Sequence, residues 1–190
     1  MTTQVSLAVV AGQEKPEVWG CVKCGRLGKT CCQQREIFVT AGDRERVSTH
    51  TGLKDFWEYR APADPSYLDP DNDPTWWRSV FRTDGTRPVL RRKPDGDCMF
   101  LGPAGCVLPL ETRPLVCRLY PYEYTVEGLI GISSECPPQV IPPGSTILQV
   151  LDMRTSDAIR WHRMLYGEIA ADPASEIAAH ESRTHLRPAG

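Results

Sequence analysis

The sequence predicts an α+β fold: a small cysteine-rich domain of short β-hairpins and helices, followed by a C-terminal amphipathic helix. Three observations predict it. Cysteines crowd the stretch CVKCGRLGKTCC at residues 21–32 and recur at Cys98, Cys106, Cys117 and Cys136. Turn signals punctuate residues 87–132 at short intervals, as hairpins require. Ile147, Leu151, Ala158, Trp161, Leu165 and Ile169 keep helical spacing and give one apolar face. The chain divides into an N-terminal extension (residues 1–17), a cysteine domain (18–140) and a proline linker with a helical segment (141–190).

Residues 33–39 read as a short strand or extended entry. Thr40 stands as the cap of a helix of roughly ten residues, with Asp43 in the capping-box position and Gly52 as its end. Residues 53–59 read as a second short helix carrying Phe56 and Trp57. Residues 61–74 are rich in proline and aspartate and read as loop. Residues 74–81 form a helical turn or two, with the tryptophans in the core. A strand at residues 87–93, a turn at Pro94-Asp95-Gly96 and strands at 98–101 and 106–108 follow, so Cys98 and Cys106 flank one hairpin. Residues 109–119 read as one helix ended by Pro121, and residues 122–126 and 129–132 as a hairpin over Glu127-Gly128. The run PPQVIPPG at 137–144 is a stiff linker. Ser145 caps the helix after it, whose apolar face packs on the cysteine domain or on a second copy. Asp172-Pro173 restarts a shorter helix before a frayed end.

Twenty-four acidic residues against 22 basic give a net charge of −2 and a pI near 6.1. Nucleic-acid binding needs a denser positive surface and is not expected. The run Arg87, Arg91, Arg92 and Lys93 reads as a solvated strand face. No stretch approaches the ~20 apolar residues of a membrane helix. The apolar residues 6–12 are too few for a secretory signal and follow no basic residue. The expected setting is a reducing, bacterial cytoplasm. Dinucleotide-binding, P-loop, zincin and nucleophile-elbow motifs are absent, which leaves nucleotide-fold and hydrolase readings without support.

Eight cysteines in such a compartment point to metal rather than to disulfides. Their share of the chain lies below the ~8–10% of disulfide-stapled scaffolds. Cys21-x-x-Cys24 can turn two thiolates around one ion. Gly25 and Gly28 allow the chain to bend back, and Lys23, Arg26 and Lys29 favour thiolate over thiol. The adjacent Cys31 and Cys32 serve one site only if the backbone kinks; otherwise they feed two neighbouring sites. Cys98, Cys106, Cys117 and Cys136 form a looser second group.

Taken together, Cys21-Val-Lys-Cys24 with Cys31-Cys32, Asp95-Gly-Asp-Cys98-Met-Phe-Leu101, Gly105-Cys106, Arg113-Pro-Leu-Val-Cys117-Arg-Leu-Tyr-Pro121 and Cys136 resemble the YkgJ-type cysteine-cluster family, the CxxCxxCC zinc- or iron-chelating domain. The likeness spans about residues 18–140. It departs in one place, where residues 25–30 separate the second and third cysteines. The resemblance implies chelation of iron or zinc by Cys21, Cys24, Cys31, Cys32, Cys98, Cys106, Cys117 and Cys136. A flagellin lysine methylase looks like a member with an iron–sulfur cluster, so methyl transfer to a protein is an implied activity.

Two four-thiolate zinc sites would use all eight thiols, and one [4Fe–4S] cluster would use four. All-thiolate zinc favours two tight knuckles, and only one CxxC is present. Ligands scattered over loop, hairpin and helix suit a bulkier cluster, and Cys136-Pro137 matches the Cys-Pro of bacterial ferredoxins. The expected cofactor is therefore a [4Fe–4S] cluster, with zinc as the alternative. Arg113 and Arg118 are the candidate cofactor-binding residues. They lie on different sides of a helix, so one points to the metal, where a guanidinium would stabilise a negative cluster. A salt bridge to Glu111 or Glu135 is the competing role. Tyr120 reads as core. Of His50, His162, His180 and His185, only His162 merits testing as a ligand. The expected function is that of a cytosolic metalloprotein, with a peptide or protein as substrate or partner. The competing readings are a zinc-stabilised interaction module and a thiol redox or metal-delivery protein.

Overall fold

The computed structural model describes residue 24 and residues 31–33, 35–68 and 73–172. Cys21, the loop at 25–30, the N-terminal extension, His180, His185 and the helix expected after Pro173 lie outside the described residues. Within them the fold is α+β, with helices set around three separate two-stranded antiparallel sheets.

Helix α1 (Ala41–Thr51) forms where its caps place it. The Asp43 amide donates to Thr40 Oγ1 at 2.9 Å and the Thr40 amide to Asp43 Oδ2 at 3.2 Å. Gly52, at φ 73°, closes the last turn by donating to the Ser48 carbonyl; this left-handed position favours glycine. The chain then enters β1 (Trp57–Arg60), which pairs with β2 (Arg87–Leu90), Trp57 opposite Leu90 and Arg60 opposite Arg87. The helix expected over 53–59 is thus replaced by a strand. Its aromatic residues suit a pleated surface, and a helix this short is marginal unless tertiary contacts support it.

Helix α2 (Pro74–Val80) is capped by Asp73, whose Oδ1 accepts from the amides of Thr75 and Trp76. Trp76 packs edge-on against Phe38 at 5.1 Å, whereas Trp77 is exposed. Only one tryptophan enters the core because consecutive helical residues diverge by about 100°. Strand β2 is buried along its length. The solvated basic face expected there is corrected at Arg87, which is buried, with its guanidinium carbon 4.3 Å from the Tyr67 ring and Nη2 3.4 Å from Glu36. Arg91 does face solvent.

The cysteine hairpin is tighter than expected: β3 (Leu101–Gly102) and β4 (Gly105–Cys106) hold two residues each. Residues 109–119 split into a 3-10 turn (Leu110–Thr112) and helix α3 (Leu115–Leu119). Pro114 forces the break by holding Arg113 extended, at ψ 148°. The next hairpin, β5 (Tyr122–Thr125) with β6 (Gly128–Ile132), forms where predicted, with an irregularity between Glu123 and Tyr124. The linker contains a 3-10 turn (Pro138–Val140) that buries Val140. The long C-terminal helix is two helices: α4 (Ile147–Val150), capped by Thr146 rather than Ser145, and α5 (Thr155–Ala170). Asp152, at φ 50°, interrupts them in a conformation that aspartate tolerates better than most residues.

Two packed clusters result. One gathers Phe38, Val80, Phe81, Leu115, Leu119 and Tyr122 around Ala158, Trp161, Leu165 and Ile169 of α5. The other holds Ile37, Val39, Val47, Phe56, Leu90, Cys98, Phe100 and Leu108. Five-residue α3 divides them. Leu115 and Leu119, one turn apart, face α5, while Cys117 packs on the second cluster and Val116 touches both. No helix among the described residues is long and apolar enough to cross a membrane.

Candidate metal centre

All seven described cysteines, Cys24, Cys31, Cys32, Cys98, Cys106, Cys117 and Cys136, border one cavity of about 760 Å³. No disulfide joins any of them. They arrive on several different pieces of local structure. Cys31 and Cys32 occupy a turn that runs into Gln33, which bridges antiparallel to Asp97. The Cys98 amide donates to the Cys32 carbonyl at 2.7 Å, which ties the first cysteine segment to the second. Cys106 stands opposite Leu101 across the β3–β4 hairpin. Cys117 sits in the middle of α3. That helix is fixed at its start, where the Leu115 amide donates to Asp43 Oδ1 at 3.1 Å. Cys136 Sγ hydrogen-bonds the Tyr120 hydroxyl at 3.6 Å.

Burial dominates the electrostatics of these thiols, because desolvation penalises a thiolate. It pushes Cys98 up to about 12 and raises Cys117 well above the ordinary thiol value, with Cys32, Cys98 and Cys106 adding to the rise at Cys117. Cys106 is also raised by burial, and Arg113 pulls the other way through charge and a hydrogen bond. Burial raises Cys24, with Cys136 and Cys32 adding to it. Burial raises Cys136 too, and the Tyr120 hydroxyl opposes the rise. Cys24, Cys98, Cys106, Cys117 and Cys136 therefore hold their protons when no metal is bound, and a metal must displace those protons to bind.

Among the described residues no three His, Cys, Asp or Glu side chains stand where one metal ion could be held as they are. The thiols line the walls of a wide cavity instead of closing on a point. The soft donors suit both iron–sulfur and zinc chemistry. On donor chemistry and on the size of the space, the residues present fit a metal–thiolate group.

The two arginines separate. Arg113 lies on the cavity wall, donates from Nε to the Leu108 carbonyl at 2.9 Å and hydrogen-bonds Cys106. Arg118 is buried away from the cavity lining. Its Nε donates to the Arg113 carbonyl at 2.7 Å, Nη1 to Glu111 Oε2 at 2.9 Å and Nη2 to the Glu111 carbonyl. It thereby fixes the backbone that presents Arg113. His162 also lies away from the cavity and meets the Thr125 carbonyl at 2.7 Å.

Several wall residues carried no signal as site residues in the sequence. Tyr120, read as core, reaches the cavity and Cys136. Arg35 and Glu135 both border it and pair at 2.7 Å with over half of each side chain exposed. Ile147 and Leu151 carry the apolar spacing of a helix face, yet they line the cavity. Comparison with protein-family models, curated proteins and solved structures returns no match.

Proposed function

We propose that the chain is a metalloprotein of a reducing compartment whose thiolates hold iron as a [4Fe–4S] cluster in preference to zinc. The observation that carries this reading is the convergence of seven cysteines, drawn from four segments of the chain, on a single cavity. Reduced, undisulfided thiols with desolvated environments are poor nucleophiles but ready soft-metal ligands once deprotonated. A cavity of this size exceeds what one zinc ion needs. A bound cluster would supply one-electron chemistry. The chain's own residues tune and shelter the space: Arg113 places positive charge beside Cys106, Tyr120 offers a hydrogen bond to Cys136, and Phe100, Leu108 and Leu151 exclude water. The exposed Arg35–Glu135 pair edges the side from which a peptide side chain would approach.

Anaerobic isolation with quantification of iron, acid-labile sulfide and zinc tests the reading. Iron and sulfide in equal amounts, with broad visible absorbance that bleaches on reduction, are expected. A colourless protein with stoichiometric zinc overturns the choice of cluster, and a protein that takes up neither metal overturns the reading itself.

A further inference from the structure

The cysteines are not one set. Cys98 is part of the buried cluster beside Leu90, Phe100 and Leu108, and Cys32, Cys106 and Cys117 pack against that same cluster. Cys24, Cys31 and Cys136 are not part of it. Backbone bonds fix the first group: Cys98 donates to the Cys32 carbonyl at 2.7 Å, and Leu101, which faces Cys106, donates to the Cys98 carbonyl at 2.9 Å. Cys136 belongs elsewhere, held at the Tyr120 hydroxyl beyond the end of α3. Of the adjacent pair, Cys32 packs against that cluster and Cys31 does not.

We propose that the thiols serve two separate soft-metal centres, one held by Cys32, Cys98, Cys106 and Cys117, the other drawing on Cys24, Cys31 and Cys136, with the boundary between Cys31 and Cys32. The proposal rests on the metalloprotein reading and assigns the ligands within it. The first centre is enclosed by core residues and carries the Arg113 guanidinium. The second carries the Tyr120 hydroxyl and lies beside the exposed Arg35–Glu135 pair, so it is the one a substrate or redox partner meets.

The test counts metal per chain in full-length protein isolated anaerobically. Cys106→Ser, Cys117→Ser, Cys24→Ser and Cys136→Ser should each lose about half of the wild-type metal. The within-group doubles Cys106→Ser/Cys117→Ser and Cys24→Ser/Cys136→Ser should lose no more than the singles. The cross-group double Cys106→Ser/Cys136→Ser should lose nearly all. Tyr120→Phe should shift the visible or paramagnetic spectrum of Cys106→Ser and leave that of Cys136→Ser unchanged. If variants in the enclosed group do not fold, the Cys24 and Cys136 variants decide alone, since they and their double must keep half. Every single variant losing all metal overturns the division while the metalloprotein reading stands. A wild-type chain without metal overturns that reading and the division with it.

Discussion

Arg113 and Arg118, five positions apart, do different work: Arg118 donates to two carbonyls and lies off the cavity, whereas Arg113 donates from Nε to one carbonyl and stands on the cavity wall. The Arg118 side chain is 1% exposed, and its Glu111 partner is 61% exposed. An ion pair with one partner in water contributes little. The weight falls on the carbonyls of Arg113 and Glu111, which lose their donor if the side chain is removed. Arg118→Ala should therefore lower the unfolding free energy by about 2–3 kcal/mol, and Glu111→Gln by under about 1 kcal/mol, in chemical denaturation. Equal losses would show that the charge pair matters more than the carbonyls. Cys98 supplies a pH dependence. Its folded-state pKa is raised by burial from 9.0 to about 12, so the folded chain holds that proton more tightly than the unfolded one. The stability it contributes is whole below pH 9 and is lost as pH rises toward about 12. Metal-free, reduced protein should weaken over that window, and Cys98→Ala should weaken less. A steeper loss in the variant would refute the assignment. At this scale, what was legible in the sequence was local. Thr40 and Asp43 announce their capping box because both partners lie within one turn. Arg35 and Glu135 announce nothing, because they meet across a hundred residues.

The joint between α1 and α5 centres on one carboxylate, with Arg44 and Asp172 pairing at 3.5 Å at its edge. Glu168 accepts from Arg46 Nη1 at 2.5 Å, from Nη2 at 3.0 Å and from the Thr40 hydroxyl. Gly42 leaves room for it, since a Cβ there would stand 2.5 Å from the Glu168 carboxyl carbon. Alanine at position 42 would gain roughly 1 kcal/mol of helix propensity. It would also displace a carboxylate whose hydrogen bonds to charged groups contribute ~1.5–3 kcal/mol each. The second effect wins, and Gly42→Ala should destabilise by about 1–2 kcal/mol. With Glu168→Ala already present, the sign should reverse, which a double-mutant cycle would detect. Stabilisation in both backgrounds would mean that Glu168 swings aside freely. The same distinction explains which elements could be read from sequence. Helix α1, helix α2 and the β5–β6 hairpin are specified by their own caps and turns. Strand β1 exists because Arg87–Leu90 lies beside it, and nothing within residues 53–59 encodes that partner. Pro114 did carry the signal that splits 109–119, since it restrains the residue before it, but the apolar spacing across the break resembled one helix.

At the scale of the molecule, no continuous sheet spans the described residues, and the two clusters meet through α3. The α5 cluster is closed mainly by apolar packing, with the Tyr122 hydroxyl hydrogen-bonded to Thr155 at 2.9 Å. The cysteine cluster is open on one side, where thiols line the cavity together with apolar side chains such as Ile37, Leu90, Phe100 and Leu108. That thiols gather here was legible as chemistry, from their number and type, but their proposed division was not, because it rests on packing between segments more than a hundred residues apart. A bound metal should therefore stabilise the molecule unevenly. Binding to the folded state alone adds stability by mass action, and a contribution of ~5 kcal/mol would correspond to about 10–20 °C in melting temperature for a chain of this size. Stripping the metal with a chelator under reducing conditions should produce a fall of that order. Hydrogen exchange should localise it: amides of residues 31–33, of Cys98 and of the β3–β4 hairpin should lose protection first, because their ties run between the segments that carry the ligands. Amides in the middle of α5 should keep theirs, because Trp161, Leu165 and Ile169 pack on α3 and Phe38 without any thiol. Cys117 provides the internal control, since it lies on α3 between the two regions and should lose protection at an intermediate rate. Uniform loss across α5 and the hairpin would mean that the two clusters unfold as one unit.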